Sequence, residues 1–240
     1  MPQQAQQPMQ QPMQQPQGFY TQFFSSSAAS QSFFLNGNGD FFNEEMKELR
    51  AKADIIVTNP PFSCLKEIIT TLIKEEKDFI LVGNENVFSN RQIFPLIKDN
   101  KIRIGFTKIK QFFTDTGEIK KFGNIVWITN LPINKPQDDL NLTKKYSSDL
   151  YPKYENYDAI NVDRLTDIPV DYEGVMGVPI TYINKQSSEF EIVGFAGGVT
   201  RKNGLNYEVP YYPHPDDRGG NGIVNGIRKY ARVLIRRIKK

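Results

Sequence analysis

A chain of 240 residues fits one α/β domain with or without a small appendage, and its formal net charge of +3 is too small to indicate nucleic acid unaided. The single cysteine, Cys64, excludes a disulfide framework and a cysteine-built zinc site, and the single histidine, His214, excludes a histidine metal cluster. Because no apolar run approaches the roughly 18 residues of a membrane span and no signal-peptide pattern is present, the sequence predicts a cytoplasmic protein with no metal and no membrane partner.

The first 39 residues contain no Asp, Glu, Lys or Arg, and the first 17 are mostly Gln, Pro and Met. A segment of this composition buries little apolar surface and is typical of disorder. The sequence therefore predicts a disordered tail over residues 1–31, an α/β core over residues 32–135 and a further C-terminal region over residues 136–240.

A helix is predicted over residues 44–52, because acids open it, bases close it, and either Asp40 or Asn43 can cap it. It leads into Ile55-Ile56-Val57, a β-branched run that predicts a buried strand of a parallel sheet. That strand runs into Asn59-Pro60-Pro61-Phe62, which we call the hook. Its prolines fix their own φ and push the residues before them into extended geometry, so the hook should be stiff.

The hook is where chemistry is expected, because ligands of open α/β sheets bind at the carboxyl ends of the strands. Its residue types suit methyl transfer to the exocyclic amine of adenine. If the Asn59 side-chain oxygen and the Pro60 carbonyl each accept one N–H bond, the nitrogen is drawn toward tetrahedral geometry and its lone pair is freed. The base must be flipped out of the duplex and stacked, and Phe62 offers an aromatic face. The alternative is an ordinary loop, since Asn and Pro are common in turns.

A second strand is predicted over residues 79–83, after a helix over residues 64–74, and this order gives a parallel pair. Asn84 and Asn86 then open onto the same edge as the hook, where they either line the adenine or cofactor pocket or form a turn. Cys64 has no histidine near it in sequence, so we expect a buried or half-buried free thiol rather than a nucleophile.

The middle of the chain predicts one short helix and two more strands. The helix spans residues 92–98 and is broken by Pro95, and the strands span residues 101–106 and 124–129. Between those strands, the lysine-rich residues 107–122 form either a loop that follows DNA phosphates or a solvated excursion.

The C-terminal region predicts a β-hairpin, formed by the alternating runs 178–183 and 190–196. Residues 228–240 then carry seven bases and no acid, and an edge strand is expected at residues 233–235. Bases at this end would contact DNA phosphates, or would protect the edge strand from aggregation. The candidate DNA contacts are Arg228, Lys229, Arg232, Arg236 and Arg237.

Several segments resemble the adenine-N6 DNA methyltransferases of the EcoRI modification-methylase type, over about residues 36–240. Besides the hook, they are Gly37-Asn38-Gly39-Asp40-Phe41, Phe94-Pro95-Leu96-Ile97-Lys98-Asp99-Asn100, Asn124-Ile125-Val126-Trp127-Ile128-Thr129-Asn130, Tyr151-Pro152-Lys153-Tyr154 and Gly174-Val175-Met176-Gly177-Val178-Pro179-Ile180-Thr181. The resemblance implies S-adenosylmethionine as the cofactor and double-stranded DNA as the partner. It also implies that Asp40 accepts from the cofactor's adenine amino group, that Phe41 stacks on its ring, and that Asn59 lies beside the methyl donor.

The fold implied is a class I, Rossmann-like methyltransferase sheet that is truncated at its N-terminal end. Residues 32–135 would be a partial catalytic core, and the C-terminal hairpin and loops would help to read the target. The glycine-rich turn that ordinarily holds the cofactor is not found before the hook. The expected function is methylation of adenine N6 in DNA, of the restriction-modification or phage type. The alternatives are an inactive DNA-binding remnant and one half of a split methyltransferase completed by a second chain.

Overall fold

The computed structural model describes residues 19–23, 30–113, 116–133, 140–197 and 209–238, and the chain divides into two compact units, Met1–Asp54 and Ile55–Lys240. The helices are α1 (Glu44–Lys52), α2 (Leu65–Lys74) and α3 (Phe94–Lys98). The strands are β1 (Phe19–Phe23), β2 (Ser30–Phe34), β3 (Ile55–Thr58), β4 (Asp78–Asn84), β5 (Arg103–Phe113), β6 (Ile119–Thr129), β7 (Ile160–Asn161), β8 (Met176–Pro179), β9 (Phe190–Ala196), β10 (Ile223–Val224), β11 (Ile227–Arg228) and β12 (Arg232–Arg237). No helix in these ranges is long and apolar enough to cross a membrane.

The described residues of the first unit form a two-stranded ladder and one helix. β1 pairs with β2 in antiparallel register, and both strands include residues of the segment 1–31 that the sequence predicts to be a disordered tail. That prediction stays a prediction. The rest of the predicted tail up to residue 29 lies outside the described residues. Helix α1 has the predicted bounds, and its cap is Asn43, whose side chain accepts from the Met46 backbone N–H at 2.8 Å.

The second unit begins with a four-stranded sheet in the order β3-β4-β6-β5. The predicted parallel pairing of β3 with β4 is confirmed, and β6 is antiparallel to both β4 and β5. Helix α2 supplies the connection between β3 and β4. It buries Leu65, Ile68, Ile69 and Leu72, which lie at the helical spacing of one apolar face.

Strand β3 is not buried as its apolar composition predicts. Ile55 is 48% exposed and Val57 is 66% exposed. Within the described strands β3 pairs with β4 alone, so β3 is an edge strand of this sheet. An apolar run shows that a strand can be buried, whereas neighbouring elements decide whether it is.

Two further predictions about the first sheet need correction. Pro95 does not break a helix, because it lies in the first turn of α3, where its missing N–H costs no hydrogen bond. Residues 107–122 are not a loop, because β5 and β6 continue through most of them as a paired antiparallel ribbon.

The second unit also contains a sheet in the order β7-β8-β12-β9. The predicted hairpin of residues 178–183 with 190–196 is wrong, because β12 lies between β8 and β9 and is antiparallel to both. For the same reason β12 is not the predicted edge strand. Val233, Leu234 and Ile235 are fully buried, which is typical of a strand covered on both faces. A small hairpin does occur, but it joins β10 to β11 through Asn225 and Gly226, both at positive φ.

Tyr154 is a packing centre of this second sheet. Its ring lies against the glycines Gly177 and Gly222, where an added Cβ would overlap the tyrosine. Its hydroxyl donates to Asn161 Oδ1 at 2.9 Å, and burial raises its pKa well above the ordinary value. Tyr154 of the Tyr-Pro-Lys-Tyr motif and Gly177 of the Gly-Val-Met-Gly motif are therefore in contact, and this contact belongs to the packing of the sheet.

We predict that Gly177→Ala lowers the free energy of unfolding by about 1–3 kcal/mol, because the new methyl group overpacks against the buried Tyr154 hydroxyl. Urea denaturation measures this change. The matched control is Gly123→Ala in β6, where a Cβ meets no described atom within 4 Å. A change for Gly177→Ala no larger than that of the control would contradict the packing role of Tyr154.

Candidate functional site

The hook lies at the carboxyl end of β3, where the sequence places it. Pro60 is buried and anchors the turn, and Asn59 is exposed beside it. Pro61 has φ −56° and ψ 128°, and its carbonyl accepts from the Cys64 backbone N–H at 3.0 Å, which closes a 3₁₀ turn over Phe62–Cys64. The strand ends here because proline has no N–H to donate to a ladder. Cys64 is a half-buried free thiol, as predicted.

The hook presents two oxygen atoms that can accept hydrogen bonds. Among the described residues, no hydrogen bond engages the Asn59 carboxamide or the Pro60 carbonyl. Phe62 follows directly and its side chain is 41% exposed, so the ring is not absorbed into the core. A stiff turn therefore holds two acceptors next to an accessible aromatic ring.

The end of β4 lies at the same edge of the sheet, since β3 and β4 are parallel and Thr58 pairs with Leu81. Asn84 acts there as a turn former. Its Oδ1 accepts from the Asn86 backbone N–H at 2.8 Å and from Asn124 Nδ2 at 3.2 Å, and it caps the 3₁₀ turn Glu85–Ser89. Asn86 is exposed. Of the two interpretations left open by the sequence, the structure supports the turn for Asn84.

Sequence reasoning missed two residues at this edge. Asn184 Nδ2 donates to Glu85 Oε1 at 2.9 Å, although 99 positions separate them in the chain. The bond joins the end of β4 to the 3₁₀ turn Ile180–Lys185, which follows β8. The only local sign of a role for Glu85 is its position directly after a strand. A hydrogen bond between residues this far apart leaves no pattern in the sequence.

Asp40 and Phe41 belong to the first unit. Asp40 is exposed and its Oδ1 accepts from the Phe42 backbone N–H at 2.9 Å, which leaves carboxylate lone pairs for a further donor. Phe41 is half-buried, and the Arg50 guanidinium lies over its ring at 4.3 Å from the centroid. An accessible carboxylate beside a half-exposed aromatic ring has the chemistry to hold an adenine, which offers an amino donor and a flat face.

Three of the five candidate DNA contacts have acidic partners within the fold. Arg232 is buried and its Nη2 lies 3.1 Å from Asp163 Oδ1, Arg236 Nη2 lies 2.8 Å from Glu191 Oε1, and Arg237 pairs with Glu189. Arg228 is exposed and Lys229 is half-buried.

The pKa of Asp163 lies below its ordinary value. The main cause is the Asn161 side chain, which donates to the carboxylate at 2.9 Å, and Lys229 and Arg232 add to the effect against the opposing cost of burial. An acid held ionised in this way keeps Arg232 in place.

The described residues hold no group of three or more His, Cys, Asp or Glu side chains placed to bind a metal ion. In the second unit the hook offers hydrogen-bond acceptors and an aromatic ring, and in the first unit Asp40 offers a carboxylate.

A family model described as "Adenine-specific methyltransferase EcoRI" matches residues 21–238. The chain belongs to this family. The resemblance predicted from the sequence motifs is therefore confirmed, and the EcoRI methylase family model covers both four-stranded sheets of the second unit.

Three curated relatives are similar to the chain. They are Type II methyltransferase M.EcoRI of Escherichia coli (40% identical over 73% of this chain and 61% of the relative), M.MgeORF184P of Mycoplasma genitalium (35%, over 85% and 70%) and M.MpnI of Mycoplasma pneumoniae (31%, over 84% and 70%). The alignment thus spans about three fifths of the length of M.EcoRI. No solved structure matches the chain.

We predict that Asn84→Ala lowers the free energy of unfolding by about 1 kcal/mol, because the 3₁₀ turn after β4 loses its cap. The measurement is urea denaturation, with Asn86→Ala as the control. Asn86 is exposed and its backbone N–H remains as a donor, so we expect a change under about 0.5 kcal/mol. Equal and small changes in both variants would show that Asn84 is no cap and would return it to the list of pocket residues.

Proposed function

We propose that this protein methylates the N6 amine of adenine in DNA and that it uses S-adenosylmethionine. Membership of the EcoRI methylase family supports the reaction class, and its relatives are named Type II methyltransferases. The observation that carries the proposal is the hook, in which two acceptors without partners among the described residues lie beside a 41% exposed Phe62 ring.

Asn59 and Pro60 activate the amine in this proposal. The exocyclic nitrogen of adenine is a poor nucleophile because its lone pair is delocalised into the ring. When the Asn59 side-chain oxygen and the Pro60 carbonyl each accept one N–H bond, the nitrogen becomes more tetrahedral and its lone pair becomes available. These hydrogen bonds strengthen as positive charge develops on the nitrogen, so they stabilise the transition state more than the bound substrate.

Phe62 holds the target base. An adenine inside a duplex is out of reach of the hook, so the nucleotide must rotate out of the stack, and an aromatic face replaces part of the lost stacking. The exposed ring of Phe62, one residue beyond the second proline of the hook, supplies that face. The rigid backbone between Asn59 and Phe62 fixes the base relative to both acceptors. Positioning of the base therefore contributes to catalysis.

S-adenosylmethionine supplies an electrophilic methyl group when it is bound. The residues assigned to hold its adenine are Asp40, which accepts from the amino group, and Phe41, which lies against the ring. This assignment rests on the family resemblance and on the accessible carboxylate and half-exposed ring described above. Asn59 is counted among the cofactor contacts on the family resemblance alone, since the amine that it would bind has to receive the methyl group.

A class I methyltransferase sheet is the fold that we propose for the catalytic part. Its support is the parallel β3–β4 pair with a helical connection, followed by the antiparallel strand β6, which is compatible with a doubly wound sheet. Arg228 and Lys229 remain the proposed phosphate contacts of the C-terminal end, since Arg232, Arg236 and Arg237 are held by acids.

We predict that Asn59→Ala lowers the rate of methyl transfer at least about 100-fold, because one of the two acceptors that activate the amine is lost. The measurement is transfer of tritiated methyl groups from S-adenosylmethionine to DNA, with cofactor affinity determined separately by calorimetry. Cofactor affinity should change little, since the main partner of Asn59 is the substrate amine.

Asn141→Ala, at an exposed asparagine outside the hook, is the control and should keep full activity. Full activity of Asn59→Ala would remove the hook from the mechanism. A wild-type chain that binds DNA but neither binds S-adenosylmethionine nor transfers methyl groups would instead support the DNA-binding remnant.

We also predict that the target base is extruded on binding. The target adenine is first located by sequencing DNA that the wild-type protein has methylated, and 2-aminopurine is then placed at that position. Its fluorescence should rise on binding, because the base leaves the stack, and Phe62→Ala should change that signal while a 2-aminopurine two positions away stays dark. An unchanged signal at the target would count against flipping.

A further inference from the structure

Strands β5 and β6 continue past the four-stranded sheet as a free two-stranded ribbon. β4 pairs with β6 only from Ile125 to Thr129, whereas Gln111, Phe112 and Phe113 pair with Lys121, Lys120 and Ile119 further along. We call residues 110–113 and 119–124 the β5–β6 arm. Residues 114 and 115 lie outside the described residues.

The arm projects from the edge of the sheet that carries the hook. Asn84, the last residue of β4, pairs with Ile125, and β6 is antiparallel to β4, so residues 119–124 extend beyond the carboxyl end of β4. β3 is parallel to β4 and ends at the same edge. Six residues of strand span about 20 Å, so the arm reaches well past the level of Asn84.

The charge of the arm is positive. Lys110, Lys120 and Lys121 are exposed, and Glu118 is the one acid among its described flanking residues. Lys120 and Lys121 are adjacent in a strand and therefore point to opposite faces of the ribbon. Both faces of the arm therefore carry a lysine. In β12, by contrast, Arg232 and Arg236 are paired with acids.

The end of the arm is apolar and exposed. Phe113 is 73% exposed and Ile119, its partner across the ladder, is 52% exposed. On the other face Phe112 and Phe122 make an edge-to-face contact at 5.5 Å between ring centroids, which stiffens the ribbon without covering it. Exposed apolar side chains of this size on a projecting element are typical of a binding surface.

We propose that the β5–β6 arm is a DNA-binding element that lies in a groove of the duplex beside the hook. The proposal rests on the function proposed above. A two-stranded ribbon fits the major groove, which is about 12 Å wide and 8.5 Å deep, and lysines on its two faces then meet the phosphates of the two strands. Phe113 and Ile119 would lie against base edges and thymine methyl groups. The positive charge favours DNA over a protein surface as the occupant.

The test is the affinity of the full chain for a duplex of arbitrary sequence, since phosphate contacts do not depend on the base sequence, measured by fluorescence anisotropy over a range of salt concentrations. Lys120→Gln/Lys121→Gln should weaken binding at least about tenfold at low salt. It should also flatten the slope of log affinity against log salt by about 2, since each lost phosphate contact contributes about 0.9.

The matched control is Lys74→Gln/Lys101→Gln, which removes the same charge from two exposed lysines at the opposite edge of the first sheet. Its affinity and salt slope should stay close to those of the wild type. Thermal melting of both variants checks that each is folded, which is expected because all four side chains are exposed.

Several outcomes would overturn the assignment. Equal losses of DNA affinity in the two double variants would show that only the total charge of the protein matters. Failure of the wild-type chain to bind DNA would refute the proposal. If sedimentation without DNA shows an oligomer that Phe113→Ser dissociates, the arm joins copies of the chain instead.

Binding is measured without turnover, so the two proposals fail separately. A chain that binds DNA through the arm but transfers no methyl group would refute the enzyme and leave the arm in place. Normal methylation and normal DNA affinity in Lys120→Gln/Lys121→Gln would refute the arm and leave the enzyme.

Discussion

The parallel pairing of β3 with β4 decides where the hook and Asn84 lie in the second unit. Parallel strands end at the same edge of a sheet, so Thr58 opposite Leu81 puts the hook and Asn84 on one side. Strand β6 is antiparallel to β4, so the residues that precede Ile125 in β6 lie beyond the carboxyl end of β4. The arm consists of those residues and the part of β5 that pairs with them. An antiparallel β3 would have separated the hook from both.

The hook combines a fixed backbone with unused hydrogen-bonding capacity. Pro60 is buried, so the turn cannot shift without disturbing the core, while Asn59 next to it is exposed and its oxygen is accessible to water. An exposed acceptor costs the free protein little, because water satisfies it. In the proposed function the amine of the target base takes the place of that water, and a backbone already fixed by the prolines would supply the preorganisation on which electrostatic catalysis depends.

The second sheet shows why charge in a sequence does not translate directly into charge on a surface. The C-terminal bases include Arg232, Arg236 and Arg237, and each meets an acid that lies far from it in the chain. Arg232 in particular belongs to a chain of hydrogen bonds that runs from its buried side chain through the exposed Asp163 to the buried Asn161 and Tyr154. A buried charge such as that of Arg232 needs a partner of this kind, and Arg236 pairs with Glu191 of the neighbouring strand β9. Lys120 and Lys121, by contrast, are exposed on the arm.

Local sequence determined helices α1 and α2, the parallel β3–β4 pair, the hook and the family, because caps, prolines and short apolar runs act over a few residues. The positions of β12 and of the arm were decided only by tertiary structure. Residues 233–235 are apolar in either position, and it was pairing with β8 and β9, about 40 to 60 residues earlier, that made the strand central. Asn84 combines both cases, because its capping bond to the Asn86 backbone is local, whereas its bond to Asn124 joins two residues far apart in the chain. Hydrogen-bond partners this far apart in the chain leave no periodic or local pattern in the sequence, so only the folded structure reveals them.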